Sequence, residues 1–165
     1  MSSLILVCTL RHALVLALAL FASAPLGIAH AADGAVSTLV GNWGGTGRIS
    51  YTDGSAESIR CTGYYTGDGN DLRMAIRCQS DKNPIDIRSQ LKIEGNRVSG
   101  DWEERTFNAS GTGSGHLSGS TISLRISGGG LTGSMSVSFS KPSHKVTIAT
   151  QGIPMKGVTI NFSRR

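Results

Sequence analysis

The side chains best suited to catalysis are two adjacent carboxylates, Glu103 and Glu104, which follow Trp102. Glycosidases use two carboxylates that face the same bond. Neighbouring residues on a β-strand point to opposite faces of the sheet, so two adjacent carboxylates on one strand do not share a site. We therefore expect these two residues to form ion pairs with Arg105 or with a neighbouring strand.

A glycine-rich segment, residues 128–133, matches the G-x-G-x-x-G pattern of nucleotide-binding loops. Such a loop binds phosphate at the N-terminus of a following helix, but here a strand pattern follows, so we predict a hairpin turn. The motifs of serine hydrolases and zinc proteases are absent from the sequence. His116 and His144 lie in or beside turns and lack the spacing of zinc ligands. The sequence therefore predicts no catalytic residue, no metal site and no cofactor, and thus a protein that is not an enzyme.

An almost entirely apolar stretch occupies residues 13–29, directly after Arg11 and His12. It runs into the A-x-A triplet at residues 29–31, a typical signal-peptidase site. Its strongly apolar core is shorter than the roughly 20 residues of a membrane span. We predict a cleaved signal peptide (1–31), a flexible N-terminal segment (32–38) and one domain (39–165). The mature protein is then periplasmic or secreted, without a membrane span.

Three cysteines are present, and Cys8 is removed with the predicted signal peptide. Cys61 and Cys78 remain in a chain bound for an oxidising compartment, so they should form a disulfide. The turn chemistry of residues 67–70 supports this pairing, because a two-residue turn at Gly69-Asn70 places the two cysteines directly opposite each other.

Apolar and polar residues alternate along most of the predicted mature chain, which is the period of half-buried strands. Turn residues separate these segments at even intervals, and we expect about eight to ten strands joined by hairpins. A meander of that length closes most simply into an antiparallel up-and-down β-barrel, because closure protects both edges. A two-sheet β-sandwich is the alternative. Glycines within strands, among the 22 in the chain, are expected at sharp bends or close backbone contacts.

Basic side chains occupy the face opposite the apolar one on the second to fourth predicted strands. They are Arg60, Arg73, Arg77, Arg88 and Lys92. Pairing of the third and fourth strands would place Arg77 opposite Asp86 and neutralise part of this basic patch. The patch is either a solvated outer wall or a surface that binds anionic glycans or lipids. Nucleic acid is not an expected partner, because few aromatic residues lie between the charges.

Signal cleavage removes one arginine and no acid, so the formal charge falls from +5 to +4. This mild excess favours acidic partners only weakly. The side of the predicted strands opposite the apolar residues is polar and charged, unlike the apolar outer face of a membrane-spanning barrel. The sequence therefore does not predict an outer-membrane barrel.

The first predicted strand contains Gly41-Asn42-Trp43, and a later one contains Gly100-Asp101-Trp102. These Gly-x-Trp segments resemble those of the calycins, the lipocalins and avidins, in which a tryptophan plugs one end of an antiparallel barrel. The resemblance implies a barrel that can hold a small ligand, and it implies that the two tryptophans are core plugs or ligand contacts. We predict a ligand-binding set of Trp43, Tyr51, Tyr65 and Trp102.

Most of the predicted mature pattern also resembles small exported bacterial proteins of unassigned function, from residues 41–47 through 58–61, 72–78 and 98–104. The exported barrel, Gly-x-Trp start and single disulfide are similar to periplasmic metalloprotease inhibitors of the Inh type. That resemblance implies an inhibitory tail at residues 32–38. The sequence therefore favours a non-enzymatic binding protein, with a small apolar ligand inside the barrel or a macromolecular partner outside, and periplasmic protease inhibition as the alternative.

Overall fold

The computed structural model describes residues 28–81 and 84–165. Almost all of the predicted signal peptide, residues 1–27, lies outside the described residues, as do Lys82 and Asn83 in one predicted turn. No helix in the described part of the chain has the length and apolar character needed to cross a membrane.

Ten antiparallel strands follow one N-terminal helix in the described residues. The helix is α1 (Ile28–Leu39), and the strands are β1 (Gly41–Tyr51), β2 (Ala56–Asp68), β3 (Asp71–Gln79), β4 (Ile85–Glu94), β5 (Arg97–Glu104), β6 (Ala109–Ser118), β7 (Thr121–Gly128), β8 (Leu131–Phe139), β9 (Ser143–Gln151) and β10 (Met155–Arg164). Each strand pairs with its sequence neighbours, and β1 also pairs with β10, which closes the barrel. The predicted barrel is confirmed, and the sandwich alternative is wrong.

The hairpin between β2 and β3 has the predicted register. Gly69 adopts a φ of 55°, a conformation that glycine tolerates best and that a two-residue turn requires. Cys61 therefore lies opposite Cys78, and the two sulfurs form the predicted disulfide, with a Cα separation of 4.0 Å. This separation is shorter than the usual range of roughly 4.4–6.8 Å. Arg77 pairs with Asp86 on the next strand, also as predicted.

The apolar core is densest at one end of the barrel, which we call the closed end. This end carries the turns at residues 69–70, 95–96 and 119–120 together with the start of β1 and the end of β10. The large inward side chains there are almost fully buried; they include Trp43, Tyr65, Leu72, Ile93, Val98, Ile122, Val137 and Phe162. We call the opposite end the mouth; it carries the turns at 52–55, 105–108, 129–130 and 152–154.

The segment expected to be flexible, residues 32–38, instead belongs to α1. Ala32, Ala35, Val36 and Leu39 are buried, and their spacing is that of one helical face. The helix packs against β2 and β4 at the closed end. A Cβ at Gly67 would lie 2.8 Å from Val36 Cγ1, so glycine at this position allows the helix to approach β2 closely.

Side chains from the barrel bind the C-terminal carbonyls of α1, which have no partners within the helix. Trp43 Nε1 donates to the Leu39 carbonyl at 2.8 Å. Arg164 donates to the carbonyls of Thr38 and Val40 at 2.7 and 2.9 Å, and its guanidinium lies 4.3 Å from the centre of the Trp43 ring. A cation is favoured at a helix C-terminus by the helix dipole. The two side chains thus fix α1 to both strands of the barrel seam.

A buried histidine, His144, lies among the aromatic residues of the closed end. His144 Nε2 lies 2.9 Å from the Tyr65 hydroxyl. Its ring stacks on Phe162 at 4.6 Å and meets the Trp43 ring edge to face at 4.4 Å. Desolvation, with a smaller contribution from the nearby positive charge of Arg164, lowers the pKa of His144 to about 4. The imidazole is therefore neutral at physiological pH.

Replacing Arg164 with Met should lower the free energy of unfolding by about 1–2 kcal/mol, because the exposed guanidinium loses three hydrogen bonds, to the carbonyls of Thr38, Val40 and Lys141. Hydrogen exchange in α1 should accelerate more than exchange in the barrel. Arg125→Met, which removes an exposed cation from the outer face of β7, is the matched control. Equal effects of the two substitutions on α1 exchange would contradict this role for Arg164.

Acidification should destabilise the protein through His144. Because the folded-state pKa lies below the unfolded value of about 6.5, the unfolded chain binds the proton first, and stability is lost as the pH falls from about 6.5 to about 4. The loss from this group approaches about 3 kcal/mol, since one pKa unit corresponds to about 1.4 kcal/mol. Urea denaturation at several pH values should show that the free energy of unfolding depends less steeply on pH in His144→Gln than in the wild type. Glutamine retains a hydrogen-bonding group at this position. His116→Gln, on the outer face, should retain the wild-type slope, and an unchanged slope in His144→Gln would refute the assignment.

Candidate functional site

The barrel encloses a cavity of about 570 Å³ that extends from the mouth towards the closed end. Its walls are predominantly apolar, and all ten strands contribute to them, β6 through Ala109 and Gly113. The principal apolar wall residues are Ile49, Ile59, Met74, Ile76, Ile87, Leu91, Leu124, Ile126, Met135, Val146, Ile148, Val158 and Ile160. Cys78 is also part of the wall, so the disulfide lies beside the cavity.

Two inward-facing glycines leave room in the middle of the barrel. Gly100 and Gly113 lie opposite each other on β5 and β6, and both line the cavity. A Cβ at Gly113 would come no closer than 3.5 Å to another atom, an ordinary van der Waals distance. At Gly100 a Cβ would collide with the Gln90 backbone carbonyl, so this glycine permits the close strand contact that the sequence predicted.

Tyr51 and Glu57 place polar groups at the mouth. The Tyr51 hydroxyl donates a short hydrogen bond to Glu57 Oε1, and both residues line the cavity. This hydrogen bond, together with burial and the negative charge of the carboxylate, raises the pKa of Tyr51 to about 12. Glu57 Oε2 is shielded from water and has no hydrogen-bond partner among the described residues. A carboxylate oxygen in this state is unusual, because desolvation without a partner is costly.

Glu104 has a structural role at the same rim. Its Oε1 accepts a hydrogen bond from the Asp86 backbone N–H at 2.9 Å, and its Oε2 accepts one from the Phe107 N–H at 2.7 Å. These bonds fix the turn between β5 and β6, in which the ring of Phe107 is 63% exposed and also borders the cavity. Glu103 points outward, and its carboxylate lies 4.0 Å from Arg105. The two carboxylates therefore face opposite sides of the sheet, as the sequence predicted.

The four aromatic residues predicted to bind ligand do not lie together. Tyr51 and Trp102 line the cavity near the mouth. Trp43 and Tyr65 belong to the buried cluster around His144 at the closed end, and they are not among the residues that line the cavity. The structure thus separates the predicted set into two groups at opposite ends of the barrel.

The basic patch lies on the outer wall, and acidic residues neutralise part of it. Arg77 and Arg88 lie 3.3 and 3.8 Å from Asp86, and Lys92 lies 2.9 Å from Glu94. Arg60 and Arg77 border a shallow outer groove together with Arg165, which is not one of the residues of the predicted patch. The exposed Arg73 lies elsewhere on β3. Binding of an anionic partner by this wall stays a prediction.

Sequence reasoning missed Glu57, Glu104 and Phe107 as residues of the cavity. Glu57 could have been found from the sequence, because Glu57, Ile59 and Cys61 are spaced two residues apart and therefore share the inward face of β2. Phe107 lies in a turn, where alternation carries no information about orientation.

No protein-family model matches the chain, and no curated protein matches it. Among solved structures, the crystal structure of Rv2717c from M. tuberculosis is similar, with a TM-score of 0.63 and 14% sequence identity over 81% of this chain and 97% of that chain. At this identity the similarity shows a shared fold and nothing further. The resemblances to calycins and to Inh-type inhibitors are not confirmed.

Proposed function

We propose that this protein is an exported, non-catalytic binding protein that holds one small apolar molecule inside its barrel. The observation that carries the proposal is the cavity of about 570 Å³ with predominantly apolar walls. Its volume lies within the roughly 300–1,000 Å³ of typical small-molecule sites. Each ligand methylene buried in such a cavity contributes about 0.8 kcal/mol to binding.

The few polar groups at the mouth support binding rather than catalysis. Both carboxylate oxygens of Glu104 accept hydrogen bonds from backbone N–H groups, and the Tyr51 hydroxyl donates a hydrogen bond to Glu57. With its pKa raised to about 12, the Tyr51 phenol is protonated at neutral pH and cannot act as a general base. These interactions orient a bound molecule or shape the rim, which is the usual role of sparse polar groups in an apolar site.

Export is supported by the apolar stretch at residues 13–29 and the A-x-A triplet that follows it. Four buried residues of α1, namely Ala32, Ala35, Val36 and Leu39, lie after Ala31. A chain cleaved at that point therefore keeps these contacts with the barrel. The protease-inhibitor alternative requires residues 32–38 to leave their packed position on the closed end.

Cleavage after Ala31 predicts a mature protein that begins at Ala32. Expression of the full chain in a bacterium, followed by fractionation and intact-mass measurement, should show this species outside the cytoplasm. A full-length chain retained in the cytoplasm would contradict export, and it would leave the binding proposal intact.

The binding proposal is tested by filling the cavity. Gly113→Leu places an apolar side chain in the open space beside Leu124 and Ile126 without a backbone clash. We expect affinity for a neutral fluorescent probe, N-phenyl-1-naphthylamine, to fall by about tenfold or more. Stability should stay constant or rise by about 0.5–1 kcal/mol, because a glycine leaves a strand.

Ser114→Leu, on the outer face of the same strand, is the matched control and should bind the probe like the wild type. Native mass spectrometry of the purified wild-type protein should also show a co-purifying small molecule that is reduced in Gly113→Leu. Equal probe affinity in all three proteins, or no probe binding at all, would overturn the proposal.

A further inference from the structure

We propose that the cavity selects apolar molecules with a cationic or hydrogen-bond-donating head group, such as long-chain amines, and discriminates against fatty-acid carboxylates. This inference rests on the proposed function and specifies the ligand class of the same site. The head group would lie at the mouth beside Glu57, and the apolar chain would extend towards the closed end.

The charge of the cavity differs in sign from that of the whole protein. The chain carries a formal charge of +5. Among the described residues that line the cavity, by contrast, there are three acids, Glu57, Asp101 and Glu104, and no Lys, Arg or His. The Asp101 side chain is exposed on the outer face, so the two glutamates supply the inward negative charge. Apolar walls strengthen the field of these carboxylates inside the cavity.

Glu57 has the free hydrogen-bonding capacity that a ligand could use. Tyr51 satisfies its Oε1, whereas Oε2 is without a partner in the described part of the chain. A small rotation of the carboxylate would turn Oε2 towards the cavity that Glu57 already lines. An ammonium or N–H group of a ligand would then form a charge-assisted hydrogen bond, which is stronger than a neutral one. A carboxylate ligand would instead meet two like charges, and no Lys, Arg or His among the described lining residues would compensate its own charge.

Glu104 differs from Glu57 in that two backbone N–H groups already occupy its oxygens. It contributes negative charge to the rim, but its oxygens already have hydrogen-bond donors and do not require one from a ligand. We therefore assign hydrogen bonding of the head group to Glu57, and long-range electrostatic attraction of cationic ligands to both glutamates together.

The test compares three ligands with the same chain and different heads, namely dodecylamine, 1-dodecanol and dodecanoate. Each displaces N-phenyl-1-naphthylamine from the protein that begins at Ala32, at pH 7, where the amine is protonated. We expect dodecylamine to bind about tenfold or more tightly than dodecanoate, with dodecanol between them. In Glu57→Gln the preference for the amine should shrink to about threefold or less. Glu103→Gln removes an equal charge from the outer face of β5 and should keep the wild-type order.

The outcomes separate the two proposals. If the probe binds and dodecanoate displaces it as well as the amine does, the head-group inference is wrong and the apolar binding function stands. A loss of amine preference in Glu103→Gln equal to that in Glu57→Gln also overturns it, because general surface charge then explains the effect. If the wild type binds neither probe nor any dodecyl compound, the binding function itself fails. The wild-type ligand series gives its answer even if Glu57→Gln does not fold.

Discussion

Pairing of β1 with β10 is the constraint on which the rest of the structure depends. Because β1 is hydrogen-bonded to β2 on one side and to β10 on the other, the ten strands form one continuous cylinder. Strict alternation then sends every second side chain into a shared interior. The same closure brings Arg164 next to Trp43, so the residues that close the seam also hold the helix that covers one end. The pairing register of β1 with β10 thus produces both the closed barrel and the enclosed space.

Much of the fold could be predicted from local sequence patterns. The turn at Gly69-Asn70 determines the pairing of Cys61 with Cys78, because a two-residue hairpin loop leaves a single register. Helix α1 was missed although its buried residues recur at helical spacing. Three of the first four residues after Ala31 are small, and the adjoining signal-peptide pattern predicts a cleavage site here rather than a packed helix. Tertiary contact with β2 gives this short helix the stability that its sequence alone would not.

The candidate site was less predictable than the fold. Alternation correctly indicates that Trp43 and Trp102 lie on the inward face, but it does not reveal whether an interior is filled or open. That depends on how side chains from opposite walls meet across the barrel, and a ten-stranded barrel is wider than an eight-stranded one. The position along each strand separates the two tryptophans, since Trp43 is near the start of β1 and Trp102 near the end of β5. Exact strand bounds would have placed them at opposite ends.

The last residues of β10 lie at the closed end, which determines how the protein can be attached to a surface or to a second domain. Helix α1 and the last residues of β10 lie on the same side of the barrel, held together by Arg164. The opening lined by Tyr51 and Glu57 is on the other side. Attachment through Arg165, either to a fused reporter domain or to a solid support, therefore leaves the opening unobstructed and facing outward.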